Sequence, residues 1–185
     1  MNFIEEFYID LDLCDDIIVY MERYGKKFAG ISGNSVVDQF TKKSVDCNLS
    51  DVTVLEKYKH ELNKCINEYT SKYTYAETPV TIDPHINIQR YQPGDAYYRW
   101  HCERHSANPA FSKRHLVFMT YLNDVTDQGE TEFFHQNMKF QPKKGLTLIW
   151  PVVWTHTHRG IPSSTQTKYI ITGWINFAES TDSIE

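Results

Sequence analysis

The chain has 185 residues, a formal charge of −5, 41% apolar and 14% aromatic residues. The apolar content is enough for a substantial core, and the acidic balance excludes a general binder of nucleic acid or anionic membrane. The four cysteines, Cys14, Cys47, Cys65 and Cys102, form no CxxC pair, which fits a reduced compartment better than a disulfide framework.

The first residues, MNFIEEFYIDLDLCDD, are acidic and lack the basic start and apolar run of a secretory signal. No apolar stretch is long enough to span a bilayer. The expectation is a cytoplasmic protein (host cytoplasm if the source is viral) with no membrane or nucleic-acid partner. In chain order, Ile17, Met21 and Tyr24 form a helical stripe after Asp15–Asp16, with Gly25 as the stop. FAGISGNSVVDQF reads as a connection broken at Gly30 and Gly33. Leu55, Tyr58, Leu62, Cys65, Ile66 and Tyr69 form a second stripe, with Ser50 or Asp51 as the N-cap. These stripes are core contacts, and His60 and His135 carry no assigned role.

From Pro84 the texture changes. HINIQRY (85–91), YYRWH (97–101), HLVFMTYL (115–122), TEFF (131–134), LTLIW (146–150) and KYIITGWINF (168–177) read as strands, parted by turns such as QPGD and QPKKG. Strands at this spacing suggest a sandwich or barrel. One domain over 1–185 is expected, with helical support in 1–80 and a β core in 84–178.

His101 and Glu103 sit two apart, so on a strand an imidazole and a carboxylate face the same way. That is two-thirds of the two-His, one-carboxylate iron site, which leaves one face of the metal open. A distant histidine must complete it. WTHTHRG offers His156 and His158, which share a face if the segment is extended. Lys168 opens an apolar strand, as an edge residue or as a counter-ion for something anionic inside. Tyr91 and Tyr121 are core tyrosines or polar tips lining the same cavity. By strand parity Arg99 follows His101 and Trp174 follows Lys168 toward that cavity. RHSANPAFSKRH reads as a loop over the site.

The segments RYQPGDAYYRWHCE, RHLVFMTYLND, GETEFF, PKKGLTLIWP and HRGIPSSTQTKYIITGW, in that order from about Ile86 to Phe177, resemble the Fe(II)- and 2-oxoglutarate-dependent oxygenases. The resemblance is to the prolyl-hydroxylase branch, in the form of small bacterial and phage members. It implies a double-stranded β-helix (jelly roll) with N-terminal helices packed on the major sheet. It implies iron ligation by His101, Glu103 and His158, with His156 left as a neighbour. It pairs Lys168 with the distal carboxylate of 2-oxoglutarate and puts Tyr121 and Tyr91 at the cosubstrate. Arg99, His156 and Trp174 are then candidate substrate or supporting residues. The implied cofactors are Fe(II), 2-oxoglutarate and O2, with ascorbate as a candidate reductant. One departure stands out: the family usually has Asp where this chain has Glu103. The implied reaction is hydroxylation of an unactivated C–H bond, of a peptidyl proline or other protein side chain, with release of succinate and CO2. The alternatives are the same chemistry on a small molecule or nucleobase, or a non-catalytic metal-binding jelly roll in which His101, His156 and His158 all ligate.

Overall fold

The computed structural model describes residues 1–32 and 36–178, so the breaker expected at Gly33 lies outside the described residues. Helix α1 runs over Leu11–Arg23, starting earlier than the sequence suggests. The reason is Asp10, whose carboxylate accepts from the Asp12 amide at 2.9 Å and caps the first turn. Helix α2, Val52–Lys72, is capped by Asp51 through the Val54 amide at 2.9 Å, which decides between the two expected caps. No described helix is long and apolar enough to cross a membrane.

Eleven strands are described: β1 (Glu5–Tyr8), β2 (Lys27–Ala29), β3 (Val45–Asn48), β4 (Val80–Ile82), β5 (Asn87–Tyr91), β6 (Arg114–Tyr121), β7 (Thr131–Phe133), β8 (Met138–Phe140), β9 (Leu146–Pro151), β10 (His158–Gly160) and β11 (Lys168–Phe177). A major sheet has the order β1-β9-β6-β11-β5-β3-β2, with β4 also on β11, and a minor sheet has the order β10-β7-β8. All pairings are antiparallel. This is the double-stranded β-helix, with α1 and α2 on the outer face of the major sheet.

Period-two alternation sorts each central strand. On β6, Leu116 and Phe118 pack under the helices, whereas Val117, Met119 and Tyr121 face the minor sheet. On β9, Ile149 goes outward and Leu148 and Trp150 inward. On β5, Ile88 joins the helices and Arg90 reaches Glu22 of α1, while Gln89 and Tyr91 face the cavity. Beneath α2 the Tyr58 hydroxyl meets Thr120 Oγ1 at 2.9 Å, which meets Thr147 Oγ1 at 2.7 Å. The buried hydroxyls between helix and sheet are thereby satisfied.

Gly173 lies on the helix side of β11. A Cβ there would come 2.5 Å from Phe118 Cζ, inside the packed layer. Gly173→Ala is therefore expected to lower stability by roughly 1–3 kcal/mol through overpacking. Chemical denaturation checks this, and a loss below about 0.5 kcal/mol would show that Phe118 rotates away without penalty.

The strand expected at 97–101 does not form. Tyr97 pairs only with Lys42 and His101 only with His158, each as an isolated bridge. The Gln92–Asp95 turn, closed by Asp95 N to Gln92 O at 2.8 Å with Gly94 at φ 84°, releases the chain from the major sheet before His101.

Candidate active site

The first pair of metal-binding candidates sits where the chain passes from one sheet to the other. His101 exchanges both backbone hydrogen bonds with His158, N to O at 3.0 and 2.9 Å. Glu103 and Arg104 both donate their amides to the Val152 carbonyl just past β9. The ligand atoms of His101, Glu103 and His158 lie within 4.8 Å of one another, the only such group of three among the described residues. Glu103 Oε1 is 3.3 Å from His101 Nε2 and 3.6 Å from His158 Nε2.

Backbone carbonyls fix both rings. His101 Nδ1 faces the Arg99 carbonyl at 3.0 Å and His158 Nδ1 faces the His156 carbonyl at 2.9 Å. Each Nδ1 then carries the proton, and each Nε2 lone pair points to the cluster, the arrangement a metal ligand needs. Tyr97 stacks on His101 with ring centroids 3.7 Å apart, and Phe133 and Trp150 flank His158. Burial and the neighbouring His101 push His158 below the ordinary histidine value, toward the neutral form that ligates. Burial by itself would raise the Glu103 carboxyl, but the His101 and His158 rings that face it outweigh burial and hold it well below the usual range, in the carboxylate form.

The cluster lines a cavity of about 810 Å³. Its floor is the inner face of β5, β6 and β11, including Gln89, Tyr91, Met119, Ile170 and Lys168. Lys168 is 4% exposed, and its Nζ donates to the Gly129 carbonyl at 2.7 Å. Tyr91 is its direct cross-strand partner, with the ammonium 5.2 Å from the ring centroid. Burial pushes the Lys168 ammonium down to about 8, with Glu130 only partly opposing. A buried cation with no carboxylate in hydrogen-bond reach among the described residues calls for an anionic ligand.

A family model described as the 2OG-Fe(II) oxygenase superfamily matches residues 86–176, the stretch holding all of these groups. By this match, residues 86–176 are a 2OG-Fe(II) oxygenase superfamily domain. Its cofactors are Fe(II), 2-oxoglutarate and O2. Procollagen-lysine,2-oxoglutarate 5-dioxygenase 1 of Gallus gallus is 24% identical over 176 residues, 88% of this chain and 22% of that relative. The chain thus spans about a fifth of the length of the curated relatives it matches. Among solved structures, the viral collagen prolyl hydroxylase of Paramecium Bursaria Chlorella virus-1 in its 2OG complex superposes with TM-score 0.73 at 20% identity, covering 95% of this chain and 97% of that one. A Trichoplax adhaerens prolyl hydroxylase, in complex with a hypoxia inducible factor peptide fragment, superposes with TM-score 0.72 at 16% identity, covering 95% and 84%.

The residues present fit what an oxygenase of this family must hold. Two imidazoles and one carboxylate converge where iron would sit, and the Lys168 ammonium, opposed only in part by Glu130, shares their cavity. Trp174 also lines the cavity, and its Nε1 donates to Glu103 Oε2 at 2.9 Å.

Three other expected positions are placed differently. Arg99 is exposed and does not line the cavity, because parity has no meaning where 97–101 is not a strand. His156 is not beside the cluster. Trp154–His156 is a short 3-10 turn, so the two histidines of WTHTHRG do not share a strand face. The His156 ring is buried against the N-terminal segment, with Nε2 2.9 Å from the Asn2 carbonyl. A closed site of three histidines is therefore not built. Tyr121 faces inward as expected, but its hydroxyl is enclosed: it lies 2.7 Å from Thr131 Oγ1, 3.0 Å from the Phe140 carbonyl, and accepts from the Thr131 amide at 3.1 Å. Thr131 lines the cavity and Tyr121 does not.

Among the wall residues that escaped the sequence reading are Gln89, Tyr97, Thr131 and Arg114. Gln89 shares the face of Tyr91 two residues on, where it accepts the Tyr91 hydroxyl at 2.6 Å. That parity was legible. Arg114 precedes an apolar run and carries no local signal.

Proposed function

We propose that the protein hydroxylates an unactivated C–H bond of a peptide side chain, a prolyl residue first among candidates, while 2-oxoglutarate and O2 become succinate and CO2. The observation that carries this reading is the shared cavity: a two-histidine, one-carboxylate cluster and a buried, unpaired ammonium open onto the same space. Bound Fe(II) supplies the activation of O2, coupled to oxidative decarboxylation of the cosubstrate. The chain does the holding. His101, Glu103 and His158 bind the metal, Lys168 pairs with the distal carboxylate, and Tyr91 and Gln89 form the adjoining wall. Tyr121 acts through Thr131, which it orients.

Peptide is favoured over a small molecule by the rim. Half-exposed Phe28 and Ile31 and the 105–111 segment extend the cavity wall out to the surface. The lining also favours an uncharged side chain over lysine. Among the described residues its one carboxylate is Glu103, already claimed by two imidazoles, so none of them is free to receive an ammonium. The proteins of similar fold that are named prolyl hydroxylases support the same choice.

Purified protein with Fe(II) is expected to release succinate from 2-oxoglutarate, slowly alone and faster with a proline-containing peptide that gains the mass of one oxygen. Glu103→Ala should remove the turnover. Unchanged succinate release in that variant would sink the assignment, and oxygen gain only on metabolites or nucleobases would move the substrate class.

A further inference from the structure

The family departure at Glu103 comes with a feature built to hold it. Trp174 Nε1 donates to Glu103 Oε2 at 2.9 Å. Arg114 lies with its guanidinium carbon 3.4 Å from the centre of the Trp174 ring, donates to the Glu103 carbonyl at 2.8 Å, and stands 3.6 Å from Oε2. The three side chains close on one another. Glu103 is gripped at its backbone by one partner and at one carboxylate oxygen by both, while Oε1 alone faces His101 and His158.

We infer that Trp174 and Arg114 are positioning residues that fold back the longer glutamate arm and reserve Oε1 for the metal. The inference rests on the metal assignment above and concerns how this chain makes glutamate serve there. A glutamate has one more rotatable bond than an aspartate, and an unheld carboxylate would sample both oxygens at the metal and occupy positions the cosubstrate needs. The indole N–H removes that freedom by engaging Oε2. The guanidinium stacked on the indole keeps the ring in the plane that donation requires. Aspartate is shorter by about 1.5 Å, one C–C bond. From the same backbone, pinned through Val152, it cannot reach the indole and the two imidazoles together.

The test is Mn(II) affinity, measured calorimetrically on the whole protein without 2-oxoglutarate, for wild type, Glu103→Ala, Glu103→Asp, Trp174→Phe and the Asp/Phe double variant. Phenylalanine keeps an aromatic wall and removes the donor. Trp174→Phe is expected to bind roughly tenfold more weakly, the usual size of such a supporting contact. Glu103→Asp is expected to weaken binding as well, although aspartate is the family's usual residue. In the aspartate background, Trp174→Phe should then cost less than about twofold, because the contact is already lost. A ring that merely fills space would weaken both backgrounds equally. Should Trp174→Phe fail to fold, Arg114→Lys, which removes the stacked plane and keeps the charge, is expected to weaken Mn(II) binding in the glutamate background only. If Glu103→Ala binds Mn(II) like wild type, the metal assignment fails. If Glu103→Ala loses the metal while Trp174→Phe and Glu103→Asp bind as tightly as wild type, the assignment stands and the positioning role is wrong.

Discussion

His158→Ala is expected to abolish metal binding and 2-oxoglutarate turnover, whereas His156→Ala, two residues away, should keep both. His158 Nε2 stands in the cluster, with its ring set by a carbonyl bond at Nδ1. Removing it would leave two of the three side chains that could hold the metal. Turnover should fall by at least a thousandfold, as expected when the group that holds the reacting centre is deleted. His156 does a different task. Its ring is 4% exposed and joins Asn2 to Thr155, with Nδ1 3.0 Å from Thr155 Oγ1. Alanine there leaves a void and an unpaired Asn2 carbonyl, which costs roughly 1–3 kcal/mol of stability and leaves the ligands in place. Metal titration and thermal melting of both variants separate the two outcomes. A His156→Ala protein that folds at wild-type stability but loses its metal would overturn this division.

Lys168→Met should raise the heat stability of the cosubstrate-free protein while removing its response to 2-oxoglutarate. The ammonium is almost fully buried, its affinity for a proton is pushed down to about 8, and its single hydrogen-bond partner is the Gly129 carbonyl. The folded state therefore holds fewer protons than the unfolded chain between about pH 8 and the ordinary lysine value, so its stability rises with pH through that window. Methionine keeps the volume and removes the charge. The relief of roughly 1–4 kcal/mol exceeds the loss of one hydrogen bond, about 1 kcal/mol. A gain of a few degrees in Tm is expected for the Mn(II)-loaded protein without 2-oxoglutarate. The same protein should show no further shift when 2-oxoglutarate is added, where wild type should. In wild type, the KM for 2-oxoglutarate should be flat below about pH 8 and climb above it as the cation is lost. A wild-type 2-oxoglutarate shift in Lys168→Met would remove this residue from the cosubstrate site.

The core strands were legible because their apolar residues alternate without interruption. LTLIW and KYIITGWINF appear almost where the pattern puts them, and the second helix follows its stripe. The missed elements are short. Strands β1 to β4 have three or four residues each and bury few of them, so alternation has no room to show. Around the site, sequence order identified the cluster of His101, Glu103 and His158, but local geometry did not follow strand parity. YYRWH is rich in aromatic residues, yet a left-handed glycine in the preceding turn detaches it, and Arg99 swings out to solvent. Tyr121 shows the complementary limit. Its inward direction was readable from the strand period, but the hydroxyl's engagement by Thr131 depends on a strand of the other sheet.

The reciprocal backbone bonds between His101 and His158 carry a consequence for the protein as a machine. They tie the chain leaving the major sheet to the first residue of the minor sheet, and the same two residues would hold the metal through their rings. Loading the ion and latching the two sheets are therefore one thermodynamic event. Part of the metal's binding free energy would then show up as resistance to parting the jelly roll at this seam.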